Sequence, residues 1–154
     1  MKDTVLAFQT KLKTPPDWAD APASQLTIDV IYTSRNATSV ALRKAAWLAK
    51  HLSARITLLV FQVVPYPLPI ESPPVLLDWN ERRFRAISEE NAVEASVQFY
   101  LCRDRETATE KVLPPDSFVV VGGRRRWWWP TGEERLVRKL RAAGHSVTYA
   151  EVEK

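Results

Sequence analysis

From Leu26 to Val152 the chain switches repeatedly between two hydrophobic rhythms. Leu26–Thr33 has the two-residue period of a strand, with Ile28, Val30 and Tyr32 alternating with Thr27, Asp29 and Ile31. Ser34-Arg35-Asn36 is a polar turn able to cap a helix. From Thr38 to Ser53 the period lengthens. Ala41, Ala45, Leu48 and Leu52 fall at i, i+4, i+7 and i+11, which sets one stripe toward a core. Ile56–Val64 is an almost unbroken apolar run, as expected of a strand covered on both faces. A helix is then predicted from Asp78, read as its cap, to about Glu90, with Leu77, Phe84 and Ile87 on one side. Ala95–Cys102 alternates again. Arg105–Leu113 reads as a short helix stopped by Pro114-Pro115, and Phe118–Val121 as a solid apolar strand. Thr131–Ala143 is helical, with Leu136, Val137, Leu140 and Ala143 inward and Gly144 placed to end it in the left-handed conformation. His145–Val152 is the last strand. Strands alternating with helices through right-handed crossovers give a parallel sheet with helices on both faces, a three-layer doubly wound α/β fold.

Outside this pattern, residues 1–24 read as an N-terminal extension to a domain spanning 25–154. Val5–Phe8 could add a short strand there, but Pro15-Pro16 and Pro22 break anything longer. Pro65, Pro67, Pro69, Pro73 and Pro74 mark an extended stiff connector, with a proline-motif ligand as the other reading.

A length of 154 residues and 45% hydrophobic content suit one domain with its own core. Net charge is only +4, from 22 basic and 18 acidic residues, and Arg124-Arg125-Arg126 is the one local run. A weak preference for anions follows, whereas a dedicated nucleic-acid partner would call for a more basic chain. The single cysteine, Cys102, allows neither an intrachain disulfide nor a cysteine metal cluster. The apolar run Val5–Phe8 is too short for a signal-peptide core, and no stretch reaches the roughly 20 apolar residues of a membrane span. A cytoplasmic location without membrane contact is expected.

In open sheets of this kind ligands bind beyond the carboxyl ends of the strands, where strand order reverses. Two turns qualify: Thr33-Ser34-Arg35, and Gly122-Gly123-Arg124 running on through Arg125 and Arg126 to Trp127, Trp128 and Trp129. Little else suggests chemistry. There is no Gly-x-x-x-x-Gly-Lys-Ser/Thr phosphate loop. His51 and His145 lack the spacing of a metal pair, and Ser34 has no evident histidine partner. Cys102 reads as a small core or edge residue, and Glu89-Glu90 as a solvated helix end. No catalytic residue and no metal ligand are predicted.

The segment Ala41-Leu42-x-x-Ala45-x-x-Leu48-Ala49 with Ala54-Arg55-Ile56-Thr57-Leu58-Leu59, and Val119-Val120-Val121-Gly122 ahead of a loop, helix and final strand, resembles the universal stress protein family. The resemblance covers roughly Leu26 to Val152. It implies a five-stranded parallel sheet in the order 3-2-1-4-5 and homodimers through the last strand. Many members hold ATP between the first and fourth strands, using a motif Gly-x2-Gly-x9-Gly-Ser/Thr. Here the motif is degenerate. Its second glycine falls on Arg125, its third would fall on Arg135 where Gly132 is the nearest glycine, and Gly132 is followed by Glu133. The aspartate that the family tends to place at the end of the first strand is Thr33 in this chain.

A phosphate cradle needs glycines so that backbone N–H groups can approach the oxygens, and Arg125 and Trp127 put bulk there. Thr131-Gly132-Glu133-Glu134 reads as a capping box that uses some helix N–H groups internally and adds negative charge. The resulting expectation is a non-enzymatic regulatory or interaction domain, a homodimer, without ATP bound in the usual way. The alternative is a nucleotide- or anion-binding protein, with ATP or AMP among its ligands. Thr33, Ser34, Gly122, Gly123, Arg124, Arg125, Arg126, Thr131 and Gly132 would line that site, with guanidinium groups replacing glycine N–H donors. Arginine and tryptophan together also suit a protein interface.

Overall fold

The structure is a computed structural model that describes residues 6–10, 26–67, 69, 77–124 and 130–152. Six strands and four helices follow in chain order: β1 (Leu6–Thr10), β2 (Thr27–Ile31), α1 (Arg35–Leu52), β3 (Arg55–Val63), α2 (Leu77–Glu90), β4 (Ser96–Cys102), α3 (Arg105–Val112), β5 (Phe118–Gly123), α4 (Gly132–Ala142) and β6 (Ser146–Glu151). They form one sheet in the order β1-β4-β3-β2-β5-β6. Strands β2 to β6 pair in parallel, and counted among themselves they run 3-2-1-4-5. This is the doubly wound α/β arrangement expected from the alternation of periods.

One strand lies beyond that set. Leu6–Thr10, inside the segment read as an extension, pairs antiparallel with β4, Leu6 opposite Leu101 and Thr10 opposite Val97. The short strand foreseen at Val5–Phe8 is therefore present with shifted bounds, and it covers an edge of β4 that would otherwise expose a row of peptide groups.

The hydrophobic period decides which side chains meet which helix. On one face Ile28, Val30, Ile56, Leu58, Val60, Val97, Phe99 and Val120 pack under Ala41, Leu42 and Ala45 of α1 and Phe84 and Ile87 of α2. On the other, Ile31, Leu59, Phe61, Val119 and Val121 pack under Ala108 of α3 and Leu136, Val137 and Leu140 of α4. β2, β3 and β5 are buried on both sides, which is why β3 and β5 are largely apolar in sequence, while β2 carries the polar Thr27 and Asp29.

The stripe on α1 differs from its sequence reading at one end. The buried residues are Ala37, Thr38, Ala41, Leu42 and Ala45. Leu52, placed inward by the helical period, is 46% exposed. The helix begins a turn earlier than expected, on the Ser34 cap, and Leu52 is its last residue, ahead of the left-handed Ser53 (φ 51°). α2 begins at Leu77, so Asp78 lies within its first turn and not at the cap. α3 has a cap that the sequence reading passed over: Asp104 accepts from the Thr107 N–H at 2.9 Å. Gly144 ends α4 with φ 97°.

Among the described residues no helix is long and apolar enough to cross a membrane.

Candidate functional site

The strand order reverses between β2 and β5, and their carboxyl ends carry the two turns singled out in the sequence. The turn after β2 is held by three hydrogen bonds. Ser34 Oγ accepts from the Ala37 N–H at 3.3 Å and caps α1. The Thr33 N–H donates to Thr38 Oγ1 at 3.2 Å, and the Thr33 hydroxyl donates to the Gly122 carbonyl at 2.9 Å. This last bond joins the ends of β2 and β5 directly.

Gly122 is glycine for a packing reason. A Cβ there would lie 2.0 Å from the Ala37 carbonyl oxygen, so the first turn of α1 sits on the bare backbone of β5. Gly123 is equally enclosed. Its Cβ would lie 2.5 Å from the Tyr149 hydroxyl and 2.9 Å from Glu133 Cβ. Both glycines bring helices close to the sheet edge.

A cleft of about 490 Å³ opens beside this junction, between the first turns of α1 and α4. Ser34, Asn36 and Ala37 form one wall, and Pro130, Thr131, Gly132, Glu133 and Arg135 the other. Gly123 and Arg124 lie between the walls, with Val152 at the margin. The volume lies within the range of small-molecule sites. Of the predicted site residues, Ser34, Gly123, Arg124, Thr131 and Gly132 line it. Thr33 and Gly122 lie outside the lining, bonded to each other. Arg125, Arg126 and Trp127 to Trp129 lie outside the described residues. Asn36, Glu133 and Arg135 line the cleft and were missed as ligand contacts. The first turn of a helix was the available signal for Asn36. Arg135 follows the Thr131 cap by one helical turn.

The α4 wall carries both signs of charge. Thr131 Oγ1 accepts from the Glu134 N–H at 3.2 Å, which is the forward half of the capping box. Glu134 does not complete it through Oε1: that oxygen is sealed from solvent with no hydrogen-bond partner among the described residues. Burial raises the Tyr149 phenol above its ordinary range, and the nearby carboxylates of Glu134, Glu133 and Glu151 add to it. Arg105 lies near the same helix end, its guanidinium 3.8 Å from where a Cβ on Gly132 would sit. Among the described residues Arg124 and Arg135 make no ion pair. The α1 wall contrasts with this, since the first turn of α1 has no acidic residue.

Elsewhere the titratable groups are explained by packing. Cys102 is 1% exposed, and burial pushes its thiol up to about 11, with Asp104 adding to the shift, so it is not an activated nucleophile. His145 is buried, and its Nδ1 accepts from the Ser117 N–H at 3.1 Å, a structural bond joining the approaches to β5 and β6. His51 lies on the outside of α1, its Nδ1 2.8 Å from the Trp47 carbonyl. Among the described residues no group of three His, Cys, Asp or Glu side chains could hold a metal.

Asp29 is the exception. It is the third residue of central β2, paired laterally with Thr57 and Val119, and only 9% exposed. Burial raises its carboxyl from 3.8 to about 7. The sequence reading took it as one polar tooth of an alternating strand.

Compared with known proteins, the chain matches no protein-family model and no curated protein.

Proposed function

We propose that this chain is a regulatory or interaction domain of universal stress protein type, non-enzymatic, that does not bind ATP in the usual way. The observation that carries the reading is the bond from Thr33 to Gly122. At the position where the family tends to hold an aspartate beside the nucleotide, this chain has a hydroxyl donated to a main-chain carbonyl. The crevice between the two strands is bridged by that bond, and α1 is seated on Gly122 beside it. The resemblance implies frequent homodimers, paired through the outer edge of β6. The apolar residues of the final strand as read from sequence are Val147, Tyr149 and Val152; Val147 and Tyr149 pack partly buried beneath α4 and Val152 lines the cleft, so a β6 contact would rest chiefly on main-chain hydrogen bonds.

A second reading is favoured by the cleft itself. Ser34, Asn36, Arg124 and Arg135 surround a space large enough for a mononucleotide or a smaller anion, at the acid-free N-terminus of α1. Calorimetric titration of the chain with ATP, AMP and inorganic phosphate, beside Arg124→Ala, separates the two. The first reading expects no saturable heat below about 1 mM for any of the three. Saturable binding of phosphate or AMP, weakened about tenfold or more by Arg124→Ala, would replace it with the second. Binding that Arg124→Ala leaves unchanged would contradict both. Light scattering tests the dimer, and a monomer mass at high protein concentration would remove that part of the reading.

A further inference from the structure

The outer face of α1 belongs to neither the core nor the cleft. The helix spans 18 residues, and its charged side chains are Arg35, Arg43, Lys44 and Lys50, with no acid among them. Arg35 pairs with Glu90 of α2. Arg43, Lys44 and Lys50 are exposed and make no ion pair among the described residues. Between them stands Trp47, 56% exposed, a large aromatic ring outside the core. Lys44 Nζ lies 5.0 Å from its ring centroid, and the centroid of the His51 ring 4.4 Å from it.

At the helical rise, Arg43 and Lys50 stand about 10 Å apart along the axis, as do Lys44 and His51. Trp47 is midway between the two pairs. All five side chains fall within one face of about 120°. The helix dipole accounts for Lys50 and His51 in the last turn. It does not account for Arg43 and Lys44 in the middle, or for an exposed indole. The acidic end of α2 lies against the other end of α1, where Glu90 meets Arg35 and the Asn91 side-chain amide donates to Ser39.

From this arrangement we infer that the C-terminal half of α1 binds single-stranded nucleic acid, with a base stacking at Trp47 and phosphates contacting Arg43, Lys44 and Lys50. An aromatic platform between flanking cations is what a single strand requires, since every base has a face to stack and a charged phosphate on either side. An anionic membrane fits less well, because the apolar stripe of α1 faces the sheet and the basic face carries a single large apolar side chain, Trp47, with the exposed Leu52 turned to another side of the helix. The chain-wide balance of 22 basic and 18 acidic residues, which argued against a nucleic-acid partner, conceals this local asymmetry.

Fluorescence anisotropy of a labelled oligothymidine of about 12 nucleotides tests the inference. Saturable binding is expected at low salt, with log affinity falling against log salt at a slope of about −2 for three phosphate contacts. Trp47→Ala should weaken binding about tenfold, and Trp47→Phe should restore most of it. The double variant Arg43→Gln, Lys44→Gln should weaken binding and reduce the slope by about 1.4. Arg138→Gln, exposed on α4 across the sheet, should change little, and all four positions are exposed, so the fold should survive. The inference is overturned if no binding occurs at low salt, or if Trp47→Ala binds like the wild type. It is equally overturned if anionic phospholipid vesicles bind and the oligonucleotide does not.

Discussion

Asp29 sits in the middle of the sheet, and its carboxyl has a protonation equilibrium that few residues in a central strand would show. Burial holds its folded-state value near 7 against 3.8 for the free side chain. The sign follows from linkage. Between these two values the folded chain binds a proton that the unfolded chain has already released, so stability falls as pH rises. The full contribution is present below about pH 4, is lost progressively up to about pH 7, and is absent above that. The interval corresponds to about 4 kcal/mol at most. Asp29→Asn is therefore expected to be more stable than the wild type at pH 8, by a few kcal/mol, and about equal to it at pH 4. Urea denaturation of both proteins at each pH checks this. Taking the difference between them removes carboxylates of opposite sign such as Asp104, whose hydrogen bonds with Thr107 lower its value. A difference that does not change with pH would show that Asp29 is not buried as an acid. The sequence could not reveal this residue, because an aspartate in an alternating strand reads as its solvent-facing half. Its burial depends on α3 and α4 covering that face, which is a tertiary fact.

At the scale of elements, much of the fold was legible because its periods are strong. β3 and β5 are apolar at almost every position, and that pattern alone implies helices on both sides. What was not legible depends on pairing distant in sequence. Leu6–Thr10 is five residues long, and nothing local says that it runs antiparallel beside β4. Leu52 follows the helical period faithfully yet lies exposed, because its helix ends there. The docking of α1 on β5 is another such contact. Its cost can be measured through Gly122→Ala, which would drive a methyl group into the Ala37 carbonyl. A destabilisation of about 2–3 kcal/mol is expected, since the obstruction is backbone and cannot rotate away. The shift in urea midpoint reads it. A variant as stable as the wild type would mean that α1 is not seated on Gly122.

For the whole molecule, the place of the cleft was readable before its full lining. The switch point between β2 and β5 follows from strand order, and Ser34, Gly123, Arg124, Thr131 and Gly132 were named from that reasoning and line the cleft. Reading the glycines as an eroded phosphate cradle was less complete. Gly122 and Gly123 are required by the close approach of Ala37, Tyr149 and Glu133, so they would be needed with no ligand at all. Asn36 and Arg135 enter the lining only because two helix N-termini converge, a geometry that no local window of sequence contains.

On the proposed reading, the junction of β2 and β5 does not receive ATP in the usual way. Backbone amide NMR during a titration with magnesium ATP tests it residue by residue. The amide signals of Thr33, Gly122 and Gly123 are expected to stay in place up to about 1 mM nucleotide. Movement of all three together along one saturable curve, at well below that concentration, would contradict the account, since it would mean that the bond from Thr33 to Gly122 opens to admit the nucleotide.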